Sequence, residues 1–239
     1  MKQSDTVRTL ILLTLFSIAM AYLESAVVVY LRAIMYPGGF DFPLAPMSPD
    51  IALTEIFREA ATIVMLLGAG YLGGRYFTVR FAWFLYCFAI WDIFYYVFLK
   101  VLVGWPASLM TWDILFLIPV TWTGPVIAPV IVSLAMILLA LIIVFYDRQA
   151  ATVRINPREW LLLVAGAFIV FLSFVWDYSA FMLRHYSIRE IFSVPDKNAL
   201  FDLSLQYIPV HFPWMLFIVG EVVILVAIGL LLRRCRRLQ

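Results

Sequence analysis

Charge is scarce in this chain. Of 239 residues, 13% are Asp, Glu, Lys or Arg, against about 25% in an ordinary soluble domain. That shortage excludes a chain that keeps its surface in water. The net charge of +2 comes from basic residues scattered in short clusters, so there is no basic stripe for a nucleic-acid backbone and nucleic acid is excluded as a partner. Cysteine is limited to Cys87, inside an apolar run, and Cys235, in an arginine-rich tail. Neither spacing nor setting suits a disulfide or a thiolate metal site. Histidine is limited to His185 and His211. A glycine-rich phosphate loop, a zinc-protease helix motif, a nucleophile elbow and a haem-attachment motif are all missing, which removes most familiar enzyme classes.

Hydrophobic residues fill the space that charge leaves, at 65% of the chain with a mean hydropathy of +1.00. Six stretches, about 9–31, 51–72, 81–103, 124–146, 159–182 and 213–232, approach the ~20 residues that cross ~30 Å of hydrocarbon. They predict an all-α integral membrane protein, a six-helix transmembrane bundle forming a single domain over 1–239, with the lipid bilayer as its first partner. Lys2 and Arg8 before an apolar run imitate a cleavable signal, but the run continues to Leu31 and is expected to stay as the first helix. The fourth run carries no charge and is expected to face lipid or a partner. No internal repeat is visible, which speaks against inverted-repeat transporter architecture.

Loop charge gives an expected orientation. With an even number of spans, 11 Lys and Arg residues fall on the side of both termini and 5 on the other. The side with the excess is expected to be cytoplasmic, in a plasma or inner membrane. The loops richest in Pro, Trp, Tyr and Asp then face outward. One, from Trp105 to Gly124, is as apolar as a core and is expected to fold back as a re-entrant or interfacial element, a short helix or turn. Another, Ser187 to Gln206, alternates charged and apolar residues and is expected to lie along the interface as an amphipathic segment broken at Pro195.

On this topology the acidic residues of the spans lie in the outer half or near the midplane: Glu24, Glu55, Glu59, Asp92, Asp177 and Glu221. Buried charge in a membrane costs several kcal/mol unless it is paired, protonated or in use, so each is a candidate site residue. At ~100° per residue, Glu55, Arg58, Glu59 and Thr62 share one helix face. Arg58 is expected to pair with one neighbour while the other carboxylate looks across to Glu24 or Asp92. Tyr95 and Tyr96 follow Asp92, and Trp112 precedes Asp113, so phenols and aromatic faces are available to a cation. The polar stripe ends near mid-membrane, which fits a pocket open on one side better than a pore.

The leading expectation is a binding or accessory subunit whose outward pocket holds a cation, a polar ligand or a partner's segment. Its ligand-binding candidates are Glu24, Glu55, Arg58, Glu59, Asp92, Tyr95, Tyr96, Trp112, Asp113, Asp177 and Glu221. A proton- or cation-coupled transporter of small solutes and an intramembrane metal-dependent enzyme are the alternatives. For the latter, His185 and His211 are the weak metal candidates. The sequence names no cofactor, and it leaves open a homo-oligomer or a membrane-complex partner.

Overall fold

The computed structural model describes residues 3–149, 152–187, 189–190 and 197–237. The chain runs through helices α1 (Gln3–Met35), α2 (Pro49–Gly73) and α3 (Phe77–Val103), then strands β1 (Trp112–Phe116) and β2 (Trp122–Pro125). It continues through α4 (Ile127–Gln149), α5 (Pro157–His185), α6 (Lys197–Leu205) and α7 (Trp214–Arg237). Among the described residues, α1, α3, α4, α5 and α7 are long and apolar enough to cross a membrane. The chain is therefore a membrane-embedded helical protein. All six predicted runs are helical, but α2 carries Asp50, Glu55, Arg58 and Glu59 in its first three turns and does not stand with those five by length and composition.

Helix ends follow local chemistry. The Ser48 hydroxyl accepts the Ile51 N–H at the start of α2, with Pro49 in the first turn, where a missing N–H costs nothing. Glu159 reaches back to the N–H of Asn156 at the start of α5, 2.8 Å away. The α3 helix stops at Gly104, whose φ of 71° is the left-handed conformation that glycine adopts without strain, and whose N–H returns to the Lys100 carbonyl. The Lys100 ammonium donates to the carbonyls of Gly104 and Pro106, so it braces this corner instead of reaching into the bundle.

Packing is centred on α3, which touches α1, α2 and α4, while α5 and α7 form a second tight pair joined through α4. Small residues let the first pair close: Ser17, Ala21 and Ser25 recur every fourth position on α1 and are fully buried. Ser25 donates to the Tyr95 carbonyl, and Thr14 hydrogen-bonds the Tyr86 hydroxyl at 2.8 Å. Gly166 and Gly220 do the same for α5 and α7. A Cβ on Gly166 would lie 2.9 Å from the Gly220 carbonyl oxygen.

One sequence expectation is corrected here. The chain is not all-α, because the Trp-rich connector forms an antiparallel hairpin, with Asp113 opposite Gly124 and a register shift between Ile114 and Phe116. Its strands are buried or half-buried on both faces, so the apolar-in, polar-out alternation of a half-solvated strand is missing. The uncharged α4 has two faces, one exposing Leu134, Leu138, Leu141 and Phe145 as its lack of charge led one to expect, the other buried. Ala135, Leu139, Ala140, Ile143 and the Ser133 hydroxyl are buried against neighbouring helices. Lack of charge cannot tell lipid from core, since lipid tails are as apolar as leucine. The predicted interfacial segment is a helix over Lys197–Leu205. Its proposed break at Pro195 lies outside the described residues.

Candidate functional site

A cavity of about 230 Å³ lies where α1, α2, α3 and β1 converge. The 36–47 loop covers it with Tyr36, Phe40, Leu44 and Met47, and α6 covers it with Phe201, Ser204 and Leu205. Its walls carry Glu24, Glu55, Arg58, Glu59, Asp92, Tyr95, Tyr96 and Asp113, eight of the candidates read from the sequence.

The α2 face is the acidic wall. Arg58 Nε donates to Glu55 Oε2 at 2.7 Å, and its Nη1 meets Glu24 of α1. Thr62 donates to the other Glu24 oxygen at 3.2 Å. One guanidinium thus contacts two carboxylates directly, while Glu59 feels its charge from beyond ion-pair distance. The Glu59 carboxylate turns to the hairpin end and accepts the N–H of Leu117 at 2.8 Å. Asp92, opposite on α3, accepts the Ser133 hydroxyl at 2.8 Å. Glu59 and Asp92 are 8% and 9% exposed, and neither has a Lys or Arg nitrogen within ion-pair distance among the described residues.

The third corner is built from α1 and the hairpin. Arg32 Nη2 approaches Asp113 Oδ1 at 3.7 Å, longer than a hydrogen bond. The guanidinium carbon sits 3.9 Å from the Trp105 ring centre and 4.4 Å from that of Phe40, two cation–π contacts that hold it in place. Asp113 is 3% exposed. Burial pushes its carboxyl up to about 6, with Arg32 opposing the shift. Both groups keep a buried atom without a hydrogen bond, Nη1 of Arg32 and Oδ2 of Asp113. The phenol of Tyr96 donates a hydrogen bond to the same carboxyl.

Beneath the cavity the packing becomes apolar. One turn inward of Glu24 lie Met20 and Ala21, one turn inward of Thr62 lies Leu66, and one turn inward of Trp91 lies Cys87. These five, Trp91 included, form a single buried cluster.

Three candidates lie off the cavity. Strand alternation sends Trp112 away from Asp113, onto Phe212 with ring centres 6.2 Å apart. Asp177 is occupied in fastening the chain before α7. It accepts the Tyr207 hydroxyl at 2.8 Å, the Val210 N–H at 3.0 Å and the His211 N–H at 3.2 Å. Glu221 is buried on α7, with Oε1 lacking a hydrogen bond. His185 contacts its own helix at the Phe181 carbonyl, and both histidines are exposed. Among the described residues no group of three or more His, Cys, Asp or Glu is placed to hold a metal ion.

Sequence reasoning left out Arg32, which it counted only as a loop base. Eight residues after Glu24 on one helix, it lies only about 80° round from it, and that spacing was the available signal. It also missed Tyr207, which accepts from the Thr123 hydroxyl at 3.0 Å while donating to Asp177, and so ties hairpin, α5 and cavity rim together. Burial raises the Tyr207 phenol far above its ordinary value.

Fold and site together define a membrane-embedded helical protein with an acidic and aromatic cavity. Comparison with protein-family models, curated proteins and solved structures finds no match.

Proposed function

We propose that this protein is a membrane-embedded binding protein whose cavity takes an organic cation bearing an ammonium group. The observation that carries the proposal is the pair Glu59 and Asp92, buried carboxylates on one cavity that accept from neutral donors and, among the described residues, make no direct ion pair. Across the cavity, five carboxylates face two guanidiniums. Carboxylate charge in excess of the guanidiniums is costly at this depth, and a bound ammonium would lower that cost. Trp91 and Tyr95, one helical turn apart with ring centres 6.4 Å from each other, offer π-faces to the same charge.

In this proposal α2 is the sixth span, both termini are cytoplasmic, and the hairpin and α6 close the outer end. The 11 to 5 division of basic residues supports that orientation. The apolar cluster of Met20, Ala21, Leu66, Cys87 and Trp91 favours a pocket with a closed floor over a pathway through the bilayer.

The test is a thermal melt of the detergent-purified chain with n-butylammonium. Butyrate and sodium at the same ionic strength serve as controls. A ligand at a hundredfold excess over its Kd stabilises by about 2.7 kcal/mol, a rise of roughly 5 to 10 °C at this chain length. Equal melting temperatures in butylammonium and sodium would end the proposal.

A further inference from the structure

A second cavity lies at the other end of the bundle, beside the first turns of α1 and the last turns of α7. It is a groove of about 430 Å³ between α1 and α4. Val7 and Leu10 form one wall, Leu138 and Phe145 form the other, the buried Trp83 of α3 is the floor, and Leu232 of α7 joins them near the C-terminus. No charged side chain lines it. Val7, Leu138 and Phe145 are exposed, so the groove opens on the flank of the bundle, where the chain meets lipid. An unfilled apolar groove forfeits the dispersion contacts of its lining, and the hydrocarbon of the bilayer is at hand to fill it.

Hydrocarbon packing does not select among lipids, since their tails are alike. Charge at the polar end of the groove does. Arg236 stands one turn beyond Leu232 and about 40° round α7 from it. Arg233 directly follows Leu232, and Arg8 directly follows Val7. All three are exposed, and none makes an ion pair among the described residues. Arg234 behaves differently: it turns to α5, where it holds the Glu159 carboxylate and the Arg154 carbonyl. Uncommitted guanidiniums just past the end of an apolar groove complement an acyl chain that carries an anionic head. We infer that the groove holds one anionic phospholipid, with an acyl chain against Trp83 and its phosphate among Arg8, Arg233 and Arg236. A second copy of the chain is the weaker occupant. A twofold contact here, with its axis along the membrane normal, would set the same arginines of both copies against each other. The inference concerns a different cavity from the ammonium reading and does not depend on it.

The experiment quenches tryptophan fluorescence with lipid brominated on its acyl chains. The purified full chain is reconstituted into phosphatidylcholine vesicles that contain a rising fraction of either dibrominated phosphatidylglycerol or dibrominated phosphatidylcholine. Subtracting the signal of Trp83→Phe isolates Trp83. One engaged arginine corresponds to about a fivefold preference, so phosphatidylglycerol should compete for the site beside Trp83 at least about fivefold better than phosphatidylcholine. The preference should vanish in Arg233→Gln/Arg236→Gln. Equal quenching by the two lipids would overturn the inference, and so would quenching by neither, which would mean that protein covers the groove. A preference that survives the double arginine variant would overturn the placement of the phosphate. Native mass spectrometry of the wild type, released from equimolar mixed vesicles, reads the same selection should Trp83→Phe fail to fold. One phosphatidylglycerol retained per chain is expected; no retained lipid, or retention without regard to head-group charge, would overturn the inference.

Discussion

Replacing Arg58 by glutamine should cost the fold about 3 to 5 kcal/mol, whereas replacing its neighbour Glu59 by glutamine should cost almost nothing. The Arg58 side chain is 22% exposed and its partners Glu24 and Glu55 are 11% and 13% exposed, so water screens the trio only weakly. Removing the guanidinium strands two carboxylates. For a chain of this length the loss corresponds to a fall of roughly 6 to 20 °C in melting temperature. Glutamine at 59 keeps an oxygen to accept the Leu117 N–H and removes a charge that makes no direct ion pair among the described residues. Its melting temperature should stay within about 3 °C of wild type or rise, while butylammonium binding is lost. Adding Glu24→Gln to Arg58→Gln should recover part of the stability, since one carboxylate is then stranded instead of two. Intrinsic tryptophan fluorescence of the detergent-purified variants is the assay. If Glu59→Gln melts as low as Arg58→Gln, Glu59 is half of a structural pair and the reasoning fails.

Tyr207→Phe removes the hydroxyl that joins Thr123 to Asp177 and should destabilise by about 1.5 to 3 kcal/mol; an unchanged melt would mean that the cavity rim does not depend on this link. The Asp113 carboxyl, raised to about 6 from the ordinary 3.8, holds its proton in the folded chain over a range where the unfolded chain has released it. Its contribution to stability is therefore complete below about pH 4 and declines as pH rises to about 6, a slope that Asp113→Asn should flatten in melts across that window. Reporters fused after Arg75, after Arg154 and at the C-terminus should be cytoplasmic and one at Gly38 should not; a cytoplasmic signal at Gly38 would reverse the orientation.

The helices were legible because apolar runs of spanning length have few other uses, and the α2 stripe was legible because Glu55, Arg58, Glu59 and Thr62 fall on one face at helical spacing. What the sequence hid was long-range. Nothing local shows that Arg58 selects Glu24 and Glu55 over Glu59, because that choice depends on where α1 crosses α2. The hairpin was hidden by its own burial, as strands covered on both faces lose the apolar-in, polar-out alternation. Asp177 looked like Asp92, one carboxylate in an apolar helix each. The difference is that the backbone N–H groups of Val210 and His211 arrive from beyond α6 to meet it. The same limit applied to α4, whose lack of charge fitted either side of the bundle.

The most direct test of the account is the stoichiometry of ammonium binding. Radiolabelled n-butylamine is equilibrated with the detergent-purified chain and with Glu59→Gln/Asp92→Asn, a near-isosteric variant expected to melt no lower than wild type. The account predicts saturable binding of one equivalent per chain to the wild type and none to the double variant. Binding that does not saturate, or that is equal in the two proteins, would contradict it.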